Sequence, residues 1–267
     1  KLANGFRYSV GVALSDDKAK VVSYPSNPTN KIGDGVLYKG YTVGDIWGYV
    51  TGGILQEGDF DGVGANGKPL YHGPYFKGGQ AYPGYIWDQD LDHDGVITTG
   101  LNTVDDPGDR KVIGNNAPRY RYNITANFQY KGFDLDLMFQ GVGKRDYWLS
   151  STSSYWGNGA GSWEVYNNSW TPERTDAKFP MYGSGTGSYP QTGYLLDASY
   201  IKLKQVILGY TFPRTLINKI GLEKLRLNLA AYNLFTISDM PKYYDADYLS
   251  DAYPPKRTFS VGIQVGF

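Results

Sequence analysis

Three aspartates alternate along Asp90-Leu91-Asp92-His93-Asp94-Gly95-Val96-Ile97, and this run is the strongest chemical pattern in the chain. Calcium takes about six to eight hard oxygen ligands, and carboxylates at every second position before a glycine turn can wrap one ion. Asp90, Asp92 and Asp94 would give carboxylate oxygens and Val96 its backbone carbonyl. Where an EF-hand places its closing glutamate this chain has Leu101, which cannot ligate. Without an ion the same run is a solvated acidic loop. With one, the role is structural, because an ion that ties down a loop needs no turnover.

A second cluster is aromatic. Tyr155, Trp156, Trp163, Tyr166 and Trp170 lie among Gly, Ser and Asn. Flat rings beside amide donors suit sugar rings or peptides, and the same residues serve equally to pack loops against each other or against a partner. Catalytic readings are weaker. The 2 histidines, His72 and His93, fall in loop-like sequence, and no Gly-x-Ser-x-Gly elbow supplies a strained nucleophile. Carboxylate pairs can always be found among 26 acids, so they point to no reaction. We read the chain as a non-enzyme. No cysteine is present, which excludes disulfides, thiolate nucleophiles and Cys-ligated metals. The 26 basic and 26 acidic residues balance, so no global basic field favours nucleic acid.

What must position these residues is a set of strands. Among 267 residues there are 25 Tyr, 11 Phe, 35 Gly and 14 Pro but only 3 Met, a composition that favours strands and turns over helices. No apolar run is long enough for a membrane helix, and the mean hydropathy of −0.43 looks like that of a water-soluble chain. A membrane strand, however, carries its apolar residues only at every second position, which keeps the average low. Arg119–Tyr130 shows this plainly: Tyr120, Tyr122, Ile124, Ala126, Phe128 and Tyr130 share one face, Arg119, Arg121, Asn123, Thr125, Asn127 and Gln129 the other. A tight Lys131–Gly132 turn then leads into Phe133, Leu135, Leu137 and Phe139, predicting a hairpin.

The same alternation marks Phe6–Leu14, Leu225–Tyr232 and Phe259–Phe267. Ser199–Phe212 changes phase near Gln205, which predicts a bulge. Adding weaker candidates at Lys18–Tyr24 and Val43–Gln56 gives about eight strands. With Phe267 at the periplasmic end, antiparallel order puts short turns at 131–132 and 213–223 inside. The long connections 57–118, 143–197 and 238–256 then lie outside, the asymmetry of outer-membrane barrels. The fold class is therefore all-β, an antiparallel transmembrane barrel facing outer-membrane lipid. A soluble sandwich or propeller also alternates, but its strands average about 5–6 residues against about 9–11 for membrane strands. Phe267, a terminal aromatic on an alternating strand, reads either as an assembly signal or as an ordinary girdle residue. Lys1 opens almost directly into a patterned strand without a signal peptide, which suggests a processing boundary.

Several runs resemble the C-terminal part of SusC/RagA-like TonB-dependent transporters. These are Gly48-Tyr49-Val50-Thr51-Gly52-Gly53-Ile54, Gly132-Phe133-Asp134-Leu135 with Phe139-Gln140-Gly141, Tyr200-Ile201-Lys202-Leu203-Lys204-Gln205-Val206-Ile207-Leu208-Gly209-Tyr210, Tyr232-Asn233-Leu234-Phe235-Thr236 and Pro254-Pro255-Lys256-Arg257-Thr258-Phe259. The resemblance implies a plugged barrel of about 22 strands. The plug domain and TonB-contacting region have no counterpart here, and the remaining strands and plug must come from elsewhere. It implies import of oligomeric nutrients, glycan or peptide, with TonB as the energy link and a SusD-like surface lipoprotein as a lid. It also implies that the acidic loop runs on to an Asp-Arg-x-x-Ile-Gly ending, here Asp109 to Gly114, so that Asp109 would close the calcium site after an insertion around 101–107. Lumen-facing Arg119, Arg121, Asp134, Asp136 and Arg226 would guide substrate or bond to the plug, with plug packing the favoured role. Two other readings remain: a surface adhesin that binds carbohydrate or calcium without transport, and a lid-less siderophore-type importer.

Overall fold

In the computed structural model the alternating segments are long antiparallel strands, and the rest of the chain gathers into a separate unit of short ones. The structure describes residues 5–33, 35–76, 79–148, 163–184, 187–242, 244–249 and 255–267. The strands in chain order begin with β1 (Arg7–Ser15). Eight short ones follow: β2 (Asp45–Tyr49), β3 (Thr51–Ile54), β4 (Phe60–Val63), β5 (Pro69–Tyr71), β6 (Tyr75–Phe76), β7 (Ile86–Asp88), β8 (Val96–Ile97) and β9 (Arg110–Asn115). Next come β10 (Arg119–Tyr130), β11 (Phe133–Lys144), β12 (Asp146–Trp148) and β13 (Leu195–Asp197). The last three are β14 (Tyr200–Thr211), β15 (Lys224–Ile237) and β16 (Thr258–Gly266).

The first unit comprises Lys1–Asp17, Pro118–Arg145 and Asp197–Phe267. It is one six-stranded sheet in the order β1-β10-β11-β14-β15-β16, every neighbour antiparallel. Directly opposed residues share a face, so the register can be followed around the wall as a row. One row runs Val10, Ala126, Leu137, Val206, Ala231, Phe259, apolar throughout. A row on the other face, three residues along, runs Arg7, Gln129, Asp134, Gly209, Asn228, Gly262, with no large apolar residue, while the row between the two on that face is Ser9, Asn127, Asp136, Ile207, Ala230, Ser260, polar or small but for Ile207. Period-two alternation in each strand thus becomes a two-sided wall. The apolar side is uncovered: Phe259 is 71% and Val261 76% exposed, and Tyr8, Val10, Val12, Leu14, Leu229 and Ile263 join them.

The β10–β11 hairpin turns on Lys131 and Gly132, at φ 44° and 89°. Positive φ at both central residues is a type I′ turn, whose twist matches that of the strands it joins. In β14 the phase slip is a bulge at Lys204: Leu203 pairs with Phe139 and Gln205 with Met138, leaving one residue over. Past the bulge Val206 and Leu208 take up the apolar face, as expected from the sequence.

The strand count differs from expectation. Lys18–Tyr24 contributes only an isolated bridge, Lys20 to Thr42, and Val43–Gln56 splits into β2 and β3, which pair with β9 and β7 outside the wall. The reason is length. Strands of 5 and 4 residues are far short of the ~9–11 that a membrane crossing requires. Since β1 pairs directly with β10, the first long connection runs from 16 to 118, not from 57.

The lumen charges have partners within their own unit. Arg226 makes a bidentate pair with Asp134, both bonds 2.7 Å, across Gly209. Asn127 donates to Asp136, Arg119 pairs with Asp16 and Arg121 with Asp17. None of these five residues needs a plug for its partner.

The 238–257 connection is held against β14. Lys202, 1% exposed, donates to both Asp245 oxygens at 3.0 and 2.9 Å and lies 3.4 Å from Asp247. Lys204 reaches Asp247 at 3.1 Å, and the Tyr200 hydroxyl donates to Asp247 at 2.6 Å. Tyr200, Lys202 and Lys204 are alternate residues of one strand face, which explains the physical sense of the Tyr-Ile-Lys-Leu-Lys run.

The second unit comprises Lys18–Ala117 and Asp146–Leu196. Its seam is the Gly48–Ile54 run. Tyr49 donates to the Pro190 carbonyl at 3.0 Å, Thr51 donates through its N–H to Thr192 Oγ1 at 3.0 Å, and the Thr51 hydroxyl bonds to buried Gln191. Side-chain bulk is excluded along this seam: a Cβ on Gly48 would stand 2.4 Å from the Pro190 carbonyl oxygen, and one on Gly52 2.3 Å from the Trp87 ring.

Removing the Lys202 ammonium takes from Asp245 the lysine that holds both its oxygens and leaves Asp247 with Lys204. Breaking a buried ion pair on one side costs about 3–5 kcal/mol, so Lys202→Met is expected to lower the detergent melting temperature and open 238–257 to protease. Asp247 is drawn up by burial but held below its ordinary 3.8 by the Tyr200 hydroxyl and the two lysines. A depressed carboxylate stabilises the fold above that value and loses the contribution as pH falls through its folded one. Protease sensitivity of this segment should therefore rise below pH 3.8 in the parent and be present at neutral pH in Lys202→Met; equal resistance of both proteins at neutral pH contradicts the clamp.

Candidate functional site

The acidic loop, the aromatic residues and a buried carboxylate that the sequence did not single out all belong to the second unit. The backbone turns sharply at His93 and Gly95, both at positive φ. Asp90 holds this turn, one oxygen accepting from the His93 N–H at 2.6 Å and the other from the Gly95 N–H at 2.7 Å. Asp92 accepts from the Asp94 N–H at 3.2 Å. Seventeen residues downstream of Asp92, Asp109 enters the same loop fully buried, accepting from Leu91 N–H at 2.8 Å and from Thr98 N–H at 2.7 Å.

One carboxylate oxygen from each of Asp90, Asp92 and Asp109 lies within 4.8 Å of the others. Asp109 thus converges with the two residues it was expected to join. Asp94 is not among the converging three; its carboxylate accepts from the Val96 N–H at 2.8 Å, the same two-residue side-chain turn that Asp92 makes with the Asp94 N–H. Val96 itself opens β8, which pairs in parallel with β6. Two of the converging groups are shifted, in opposite senses. Asp92 is raised, by loss of solvent first and by the charges of Asp109 and Asp94 as well. Asp90 also loses solvent, but the Gly95 and His93 N–H groups hold it below the usual carboxylate range. Each oxygen retains a lone pair beyond its backbone bond, so the donor set is hard, anionic and open to a cation of the calcium type.

Between Thr98 and Asp109 the chain forms a bud closed at its neck, where Gly100 and Gly108 meet so closely that neither could carry a Cβ. Arg110 stitches the bud: its guanidinium donates to Thr99 O at 3.0 Å, Asn102 Oδ1 at 2.7 Å and Pro107 O at 3.2 Å. The Asp-Arg pair of the ending therefore splits its work, the acid closing the loop and the base securing the insertion.

The aromatic set divides. Tyr155 and Trp156 lie outside the described residues. Trp163 and Tyr166 sit on a short helix, α1 (Trp163–Asn167), at 77% and 56% exposure, their rings edge to face at 5.8 Å. Trp170 does not join them. It is 3% exposed, donates from Nε1 to Gln56 Oε1 at 2.9 Å, and covers Gly84, so here it is a packing residue.

Asp88 is 1% exposed in β7, and its Oδ2 accepts from the Tyr189 hydroxyl. Oδ1 has no hydrogen-bond partner among the described residues. Burial raises Asp88 to about 6 despite that hydrogen bond. Ile86 and Asp88 share one face of their short strand, so alternation alone could have placed Asp88 inside. Nothing in the sequence signals Tyr189, which lies a hundred residues away.

No family model matches the chain. Over 98% of its length it is 28% identical to TonB-dependent receptor P3 of Formosa agariphila, covering 27% of that protein. It is 27% identical over 82% of its length to TonB-dependent receptor SusC of Bacteroides thetaiotaomicron, covering 23% of it. Among solved structures, that of the RagAB peptide transporter superposes with a TM-score of 0.65 over 98% of this chain and 27% of that one, at 17% identity. The chain thus spans about a quarter of the length of the curated relatives it matches, and it has their fold.

Asp109→Asn puts an amide where two backbone N–H groups converge, leaving one of them facing a donor. A buried donor left unsatisfied costs about 1–3 kcal/mol. In chelator, limited proteolysis should cut between 98 and 109 several-fold faster than in the parent, whereas Asp94→Asn should change this rate little; the reverse order would remove Asp109 from its place as the loop's closure.

Proposed function

We propose that this chain, whose relatives are TonB-dependent receptors including SusC, forms part of the barrel wall and the outer loops of an importer that carries oligomeric nutrients across the outer membrane. The observation that carries the reading is the six-stranded wall with one wholly apolar, uncovered face and two open edges. Lipid is the solvent that suits such a face, and further strands are the only partners that suit such edges in a bilayer. By kinship the chain is part of an outer-membrane protein of a Gram-negative bacterium. The 16–118, 145–199 and 238–257 connections, all leaving the wall at the end opposite the short turns, are its extracellular side.

Energy comes through TonB and a plug, and a SusD-like lipoprotein covers the loops. The relative named as a peptide transporter favours peptide cargo by analogy of fold, while exposed Trp163 and Tyr166 fit either a sugar ring or a peptide side chain. Transport accounts for these features without any catalytic step. A calcium ion held by Asp90, Asp92 and Asp109 would fix the loop frame; the mutual crowding of those carboxylates is what favours it.

Deleting the gene should abolish growth on the cognate oligomer at limiting concentration and spare growth on its monomer, and a tonB deletion should do the same. Surface binding that survives while uptake never depended on TonB would favour the adhesin. Affinity purification in detergent should bring down a surface lipoprotein; its absence points to a lid-less importer. Calcium should raise the melting temperature of the chelated protein, and Asp90→Asn or Asp92→Asn should weaken this response by about tenfold in midpoint concentration. A response of identical midpoint in both variants rules out calcium at this loop.

A further inference from the structure

Within the second unit a cavity of about 200 Å³ is walled by Tyr75, Phe76, Tyr85 and Tyr189, with Asp88 on its lining. The Asp88 side chain is almost wholly buried and has one oxygen without a hydrogen-bond donor among the described residues. Tyr189 cannot serve both oxygens. Its ring is locked edge to face against Tyr49 and Phe76, with centroids 5.2 and 5.3 Å apart, and its single hydroxyl proton is committed to Oδ2. Arg110 is turned to the 99–107 bud, where its Nε and Nη2 donate to two carbonyls and an amide.

A buried carboxylate with one free oxygen is among the costliest groups a fold can hold, and the partner that best relieves it brings both a donor and a positive charge. Aromatic walls attract cations as well. The volume admits a small headgroup on a short stem but not a folded oligomer. We propose that this cavity is a subsite for a primary ammonium group carried by the imported oligomer, with Asp88 as its counterion. A peptide lysine or amino terminus and an amino sugar share this chemistry. The inference rests on the import reading for the origin of the ligand, though binding itself is read without transport.

The test uses the full-length receptor in detergent, in excess calcium so that the acidic loop is not an alternative cation site. Saturation-transfer NMR compares n-butylammonium with its neutral counterpart n-butanol. The parent should bind butylammonium and discriminate against butanol by at least about tenfold, the worth of a charge-assisted hydrogen bond. Asp88→Asn should lose that discrimination, and Tyr189→Phe, which keeps the carboxylate, should retain it. Should Asp88→Asn fail to fold, Ala81→Trp, which fills the cavity and leaves Asp88 in place, should block butylammonium.

Equal binding of amine and alcohol by the parent, or undiminished discrimination in Asp88→Asn, overturns the proposal. Competition by Nα-acetyl-lysine amide identifies peptide as the source and competition by glucosamine an amino sugar; competition by neither overturns the assignment to imported oligomers. A receptor that imports but ignores butylammonium defeats this inference alone. One that holds butylammonium at Asp88 but imports nothing leaves the subsite standing and defeats the import reading.

Discussion

Backbone hydrogen bonding in a medium without water is the constraint from which the wall follows. A strand in hydrocarbon must pair on both sides along its length, so the six strands form one unbroken antiparallel ladder. That ladder fixes which residues lie beside one another. Once the register is set, every second residue is committed to lipid and the others to the interior, which is why a single apolar row can be traced through all six strands. On the interior face the chain neutralises its own charges: Arg226 with Asp134, Arg119 with Asp16 and Arg121 with Asp17. Two solvents on two faces of one sheet leave little freedom elsewhere.

This is also why the wall was legible. Alternation is a local signal, and Arg119–Tyr130 and Phe133–Phe139 show it residue by residue. The turn at Lys131–Gly132 and the slip near Gln205 were visible for the same reason, since a bulge inverts the phase of everything after it. Lys18–Tyr24 and Val43–Gln56 misled because short runs of β-formers look alike whether they cross a bilayer or cross-link loops. Their partners, such as Asp88 for Thr51 and Arg110 for Tyr49, lie far along the chain, where no periodicity reaches.

The candidate site divides along the same line. The Asp90–Gly95 turn is local and could be read directly. Asp109 was reached through its Asp-Arg-x-x-Ile-Gly context, and one of its oxygens lies within 4.8 Å of those of Asp90 and Asp92. That Asp94 stays out of the converging set was not legible, because Asp92 and Asp94 alternate in one run and make the same two-residue turn. Trp170 shows the limit from the other side: among neighbouring aromatics, nothing local separates the buried one from exposed Trp163. Only the distant Gln56, which takes its indole N–H, distinguishes them.

The bud between Thr98 and Asp109 has a bearing on how such proteins change. Its neck is closed by two glycines and its contents are fastened by Arg110, while Asp109 is held independently by Leu91 and Thr98. Length at this point is therefore uncoupled from the acidic cluster: residues added or removed inside the bud would leave Asp109 tied to Leu91 and Thr98. The outline of the molecule can vary there while its frame stays as it is.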